Sequence, residues 1–266
     1  MRDPEAQSRH EAVEAEAALS RDGLLGGRVT LLQPRQGLRA AIDAPLLAAA
    51  VAAPPAGCLA ELGCGVGAAS LCLLERLARA GPAGVTVTGL ELQPELAELA
   101  RRNAAENGRD SSFRVITGDL SAPPLMLAPH AFDGVFMNPP YQRAEAGRAS
   151  PQPTRALAAS EGALGLADWL AAALRLLKPK GRLTLIHRAD RLPELLRALG
   201  TRVGAIAVLP LFPGDGRAAK RILLTGVKDS RAPFTLLPGL SLHDAEGAFT
   251  PEAEAILREG GALKLE

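Results

Sequence analysis

The sequence predicts an α/β domain built on a mostly parallel sheet with helices on both faces. Three observations predict it. Short apolar runs alternate with longer helical stretches from residue 58 to residue 227, and that alternation implies right-handed crossovers between parallel strands. Gly or Pro punctuates most of the junctions. Four consecutive apolar runs end in a glycine or polar signature, as expected where an open sheet gathers a ligand at the carboxyl ends of its strands. With 47% hydrophobic but only 3% aromatic residues among 266, the core must be Leu, Ala and Val.

Residues 3–20 are rich in Glu and Ala and read as a polar helix or arm. Residues 28–42 mix short apolar runs with Gly, Pro and Arg, as a strand or loop does. Asp43-Ala44-Pro45 opens a helix to about residue 53, with Asp at the cap and Pro in the first turn. Pro54-Pro55 ends it. A strand at 58–62, a helix at 68–80 and a strand at 85–92 follow. Next come a helix at 94–107 closed by Gly108, then strands at 113–117 and 132–137. After an Arg-, Ser- and Pro-rich loop, 143–155, a helix spans 160–177. Lys178-Pro179-Lys180-Gly181 then turns the chain into a strand at 182–187. A helix at 190–199 and strands at 205–210 and 221–227 complete a seven-stranded sheet. The loop 211–220 has no room for a helix, so the last strand is expected to run antiparallel. The tail, 229–266, holds one helix at 251–259. The expected organisation is an arm at 1–22, a domain at 23–228 and a C-terminal extension at 229–266 packed on it.

A net charge of +1 argues neither for nor against a polyanionic partner. Cys58, Cys64 and Cys72 lack C-x-x-C spacing, so neither a disulfide framework nor a zinc site is expected. The first residues have no apolar signal core, and no apolar run is long enough to span a bilayer. These features suit a reduced, cytoplasmic protein without membrane or metal.

Glu61-Leu62-Gly63-Cys64-Gly65-Val66-Gly67 lies between the first core strand and its helix. Its G-x-G-x-G spacing departs from the dinucleotide fingerprint. A carboxylate at the strand end repels phosphate but suits an ammonium group. Glu91 closes the next strand, where a carboxylate can accept from two ribose hydroxyls. Thr117-Gly118-Asp119-Leu120 closes the third, and Asp119 can accept from an adenine amino group. The fourth ends in Asn138-Pro139-Pro140-Tyr141. Neither proline can donate to a strand ladder, so the chain must leave the sheet there. An amide, a fixed carbonyl and an aromatic ring on one turn suit a flat amino-bearing group.

Together these signatures resemble a class I S-adenosylmethionine-dependent methyltransferase, a Rossmann-like fold, over residues 28–227. The resemblance implies that Gly63, Gly65 and Gly67 form the methionine-side loop with Glu61 near the amino group. It places Glu91 at the ribose, Asp119 and Leu120 at the adenine, and Asn138 beside the cofactor. Asn-Pro-Pro-Tyr resembles the signature of enzymes that methylate adenine N6, cytosine N4 or glutamine N5. By that likeness Asn138 and Pro139 activate the amino group and Tyr141 stacks on its carrier.

Residues 33–48 resemble the segment preceding the core in the bacterial family that methylates N6 of adenine 37 in valine tRNA. Arg39 and Asp43 match that family, while Leu38 and Ala40 stand where members carry aromatics. The likeness implies that residues 23–55 cover the cofactor, which adds Arg39 and Asp43 to its expected contacts. Residues 242–251 resemble the same family's tail, where His243 reads as a packing or turn residue. Protein glutamine methyltransferases share the turn but usually carry a separate N-terminal domain. Only about 55 residues precede the cofactor strand, too few for one.

The expected activity is therefore transfer to adenine N6 in tRNA. The alternatives are an amino group of rRNA, DNA or a protein glutamine, or a cofactor-binding module without catalysis. Phosphate contacts are expected from Arg143, Arg148, Arg155, Arg188, Arg191, Arg217, Lys220 and Arg221, in a monomer or homodimer.

Overall fold

Apolar side chains alternate between the two faces of the central strands, and each face gathers its own core. The computed structural model describes residues 18–36, 39–52, 56–81, 84–124, 126–141 and 164–265. In chain order its elements are β1 (Leu19–Leu24), β2 (Val29–Pro34), α1 (Asp43–Ala50), β3 (Ala56–Leu62), α2 (Ala68–Ala80), β4 (Gly84–Glu91), α3 (Pro94–Glu106), β5 (Phe113–Thr117) and β6 (Phe132–Met137). They continue with α4 (Leu166–Leu176), β7 (Leu177–Arg188), a short turn Ala189–Arg191, α5 (Leu192–Leu199), β8 (Val203–Phe212) and β9 (Arg221–Lys228). Two-residue strands β10 (Thr235–Leu236) and β11 (Leu240–Ser241) and the helix α6 (Pro251–Leu257) close the chain.

The central sheet has the order β5-β4-β3-β6-β7-β9-β8. β3 to β7 pair in parallel, and β9 runs antiparallel to both its neighbours. This is the predicted sheet with its antiparallel last strand. β10 and β11 add short parallel pairings along the outer edge of β8. On β6, Phe136 faces a cluster shared with Leu46 of α1 and Leu71 of α2. Its neighbours Val135 and Met137 face the cluster of Leu170 and Leu195 from α4 and α5.

Several boundaries move, each for a local reason. Residues 19–24, expected in part as the end of a polar arm, pair with β2 as a hairpin. The helix expected to reach residue 53 ends at Ala50, and Val51 is extended. The helix expected at 160–177 begins at Leu166 behind Gly165, whose N–H donates to Asp168 at 2.9 Å; its first residues, 160–163, lie outside the described residues. The turn at Lys178–Gly181 is an insertion within β7: Leu177 pairs with Phe132, then Arg182 with Gly134.

The hairpin β1–β2 is tied down by two asparagines of α3. Fully buried Asn103 accepts from Leu32 N–H at 2.7 Å and donates to Leu32 O at 2.9 Å and Val66 O at 3.0 Å. Asn107 brackets Thr30 in the same way, at 2.9 and 2.7 Å. These side chains satisfy the backbone groups β2 turns away from β1. No helix among the described residues is long and apolar enough to cross a membrane.

Candidate active site

Strand register brings the two halves of the site together. Leu62 of β3 pairs with Met137 of β6, so the glycine loop and the Asn-Pro-Pro-Tyr turn leave neighbouring strands at the same height. Leu62 also pairs with Leu90, which puts Glu91 one residue further on. β4 and β5 lie to one side of β3 and β6 to the other, so strand order reverses here and a crevice opens between the loops.

The loop is fixed through its backbone. Gly63 and Cys64 donate to Leu90 O at 2.8 and 3.0 Å. Gly65 N–H donates to Glu91 Oε2 at 2.8 Å, and Gln93 N–H to its Oε1 at 2.9 Å. Burial raises the pKa of the Glu91 carboxyl, opposed by these N–H bonds. Gly65 has φ +54°, and a Cβ built on it meets nothing within 4 Å. Gly67 also has positive φ, but a Cβ there would lie 2.6 Å from the Phe113 ring. The open face at Gly65, edged by a buried carboxylate, fits a ligand that approaches backbone closely and offers hydroxyls. Trp169 of α4, the only tryptophan of the chain, lies over Gly63.

Glu61 sits deeper than expected. Its Oε2 accepts from the N–H of Ser70 at 3.1 Å and from the Ser70 hydroxyl, inside the first turns of α2. Burial pushes its pKa up to about 8, with Ser70 opposing and the charge of Glu91 adding. Asp119 is exposed and accepts from Ser121 N–H at 2.8 Å, beside buried Leu120.

In the Asn-Pro-Pro-Tyr turn Asn138 is exposed and Pro139 buried. The Tyr141 hydroxyl donates to Asp43 Oδ2 at 2.7 Å, and Arg221 Nε donates to the same oxygen at 2.8 Å. The Arg221 guanidinium lies 5.7 Å from the Tyr141 ring centre. The fully buried His187 ring meets that ring edge-on, with centres 5.2 Å apart. Burial, and then the charge of Arg191, lower the His187 pKa to about 4. A groove of about 420 Å³ runs beside the turn, lined by Tyr141, Arg188, Asp190, Ala219, Lys220 and Arg221.

The other expected residues divide. Arg39 pairs with Asp22 at 2.7 Å, and Asp43 is engaged by Tyr141 and Arg221. Arg188 and Lys220 line the groove, but Arg188 is paired with Asp190. Arg191, expected among the phosphate contacts, is buried and paired with Glu194 at 2.8 Å. Arg217 is exposed in the loop between β8 and β9. Arg143, Arg148 and Arg155 lie outside the described residues. His243 stacks on Phe249 and bonds Pro213 O at 2.9 Å, a packing role as read. Ser70, Trp169 and His187 carried no motif signal; they are found only because helix α4, the start of α2 and the end of β7 meet at this edge.

The fold and this pair of adjoining turns define an S-adenosylmethionine-dependent methyltransferase of the Rossmann-like class. The family described as "Methyltransferase domain" matches residues 59–159. The tRNA1(Val) (adenine(37)-N6)-methyltransferase of Porphyromonas gingivalis is 32% identical over 232 residues, covering 81% of this chain and 85% of that protein. The chain belongs to the family of the tRNA1(Val) (adenine(37)-N6)-methyltransferases. A release factor glutamine methyltransferase of Agrobacterium fabrum is 33% identical over 116 residues, 43% of this chain and 37% of that protein. A solved structure described as a predicted O-methyltransferase of Agrobacterium tumefaciens has a TM-score of 0.68 and 30% identity, covering 83% of this chain and 98% of that one.

Proposed function

We propose that this protein methylates N6 of an adenine in tRNA, at position 37 of a valine tRNA. The observation that carries the reading is the pairing of Leu62 with Met137, which sets an exposed Asn138 level with the glycine loop. Gly63, Gly65 and Glu91 would hold S-adenosylmethionine, which supplies an electrophilic methyl group when bound. Asn138 Oδ1 and the Pro139 carbonyl accept the two amino protons of the acceptor, which turns the nitrogen lone pair away from the ring that delocalises it. Tyr141 holds the base by stacking. Asn138 and Pro139 would hold the two amino protons until transfer is complete, when one passes to water, so no strong base is needed beforehand. Lys220 in the groove beside Tyr141 offers charge to the flanking phosphates, whereas Arg188 there is already paired with Asp190.

The partial match to a release factor enzyme makes a protein glutamine the competing acceptor. The cationic groove and the match to tRNA enzymes over most of the chain favour RNA. The test offers labelled S-adenosylmethionine with unmodified tRNA, ribosomes, DNA and a release factor, and identifies the product nucleoside by mass spectrometry. N6-methyladenosine in the tRNA fraction is the expected product. Label in the release factor alone would overturn the proposal.

A further inference from the structure

Asp43 resembles a cofactor-side residue by sequence, yet one of its carboxylate oxygens is engaged by the acceptor-side tyrosine and by Arg221. It is only 6% exposed and stands at the start of α1, far in sequence from the acceptor turn. One of its oxygens takes both the Tyr141 hydroxyl at 2.7 Å and Arg221 Nε at 2.8 Å. Arg221, at the first position of β9, also lies 5.7 Å from the Tyr141 ring centre. On another side the His187 ring meets it edge-on at an interplanar angle of 73°. His187 is fully buried and neither of its nitrogens has a hydrogen-bond partner. It acts as an apolar wall here.

A tyrosine that only had to stack would need no hydroxyl bond. Three elements distant in sequence nevertheless converge on this one side chain: α1, the end of β7 and the start of β9. Asp43 is itself held at the end of an organised segment. Gln33 accepts from Ala40 N–H at 2.9 Å and donates to Asp22 at 2.9 Å, and Asp22 in turn pairs with Arg39. Both hydrogen bonds to Asp43 fall on Oδ2, while Oδ1 lies 2.8 Å from Arg221 Nε, enclosed and without a hydrogen bond of its own.

We propose that Asp43, with Arg221, is a positioning device that fixes the Tyr141 ring for the acceptor. The proposal rests on the reading above that Tyr141 stacks on the acceptor, whichever amino compound that is. The device joins the segment before the core to the Asn-Pro-Pro-Tyr turn.

The chain contains a single tyrosine, so the hydrogen-bond state of its hydroxyl is read directly from the tyrosine Raman doublet of the native protein at neutral pH. Asp43→Asn removes the charge but keeps an acceptor oxygen, and Tyr141→Phe keeps the ring but removes the hydroxyl. The expected result is a doublet shifted toward weaker hydrogen-bond donation in Asp43→Asn. Both variants should lose kcat by roughly 10- to 100-fold through misplacement, with the calorimetric Kd for S-adenosylmethionine within about twofold of the parent. The double variant should be no slower than the slower single one.

An unchanged tyrosine doublet in Asp43→Asn, a Tyr141→Phe protein as fast as the parent, or a weakened cofactor Kd with kcat intact would each overturn the device. The spectrum and the calorimetry need no acceptor. If the proposed acceptor proves wrong while the doublet still shifts, the functional reading fails and the device stands.

Discussion

Alanine in place of Gly65 separates the cofactor cradle from the fold that builds it. The residue sits at φ +54° with nothing within 4 Å of a built Cβ. The only cost to the protein is then the left-handed backbone of a non-glycine residue, about 1 kcal/mol. For a chain of this length that lowers Tm by roughly 2–4 °C. The methyl projects into the space the ligand must enter, and the backbone can no longer be approached closely. The Kd for S-adenosylmethionine should rise at least about tenfold. Gly67→Ala is the contrast. Its φ is +85°, and the Cβ lies 2.6 Å from Phe113 Cε1 and 3.5 Å from Ala100 Cβ. Overpacking adds about 1–3 kcal/mol to the backbone term, so Tm should fall by roughly 10 °C. Differential scanning calorimetry gives the stability half, and titration calorimetry gives the binding half. Trp169 fluorescence reports the loop independently, because that ring lies on Gly63. A Gly65→Ala protein that binds the cofactor like the parent would refute the cradle. One that melts as early as Gly67→Ala would refute the open space.

Three further outcomes follow from the same geometry. Asn138→Ala should bind S-adenosylmethionine as the parent does and lose at least about a hundredfold in kcat; transfer at the parental rate would remove Asn138 from the chemistry. Glu61, raised from 4.5 to about 8, binds its proton more tightly folded than unfolded. Its stabilising contribution is present at low pH and is lost as pH rises through about 8. Glu61→Gln should therefore gain in Tm relative to the parent as pH rises from 4.5 to about 8, and a constant difference across that range would contradict the buried neutral carboxyl. Asn103→Ala leaves Leu32 N–H, Leu32 O and Val66 O without partners, which should cost roughly 3–5 kcal/mol in urea unfolding. A loss below about 1 kcal/mol would mean that water reaches those groups.

The sheet was legible because its signals are local. Each parallel strand is a short apolar run bounded by Gly or Pro, and the eight-residue link Pro213–Lys220 could only close a hairpin. β10 and β11, two residues each, are too short for any periodicity to register. β1 escaped because its polar alternation in Leu19–Leu24 resembles the arm before it, and its partner strand decides the matter. In the site, residues at strand ends were readable, since period and punctuation locate an end to within a residue or two. What was not readable is where a side chain turns after leaving the strand. Glu61 turns inward to Ser70, Arg191 to Glu194, and Asp43 across the crevice to Tyr141. Those choices depend on neighbours that only the folded sheet assembles.

The two halves of the site differ in a way that bears on the acceptor. The cofactor half is buried and bonded before any ligand arrives: Glu61 is 3% exposed, Glu91 6%, and the loop amides are already spent on Leu90 and Glu91. The acceptor half is open. Asn138 is exposed, and the groove beside Tyr141 faces outward with Lys220 on its rim. A small acceptor gains most from an enclosed pocket, because burial is what selects it. A macromolecule brings its own surface, and only the reacting base has to be gripped. Selectivity then falls to residues away from the turn, on the loop between β8 and β9 and at the end of β7. On the proposed function, the Asn-Pro-Pro-Tyr turn selects an amino group held flat, while the charge around it selects what carries that group.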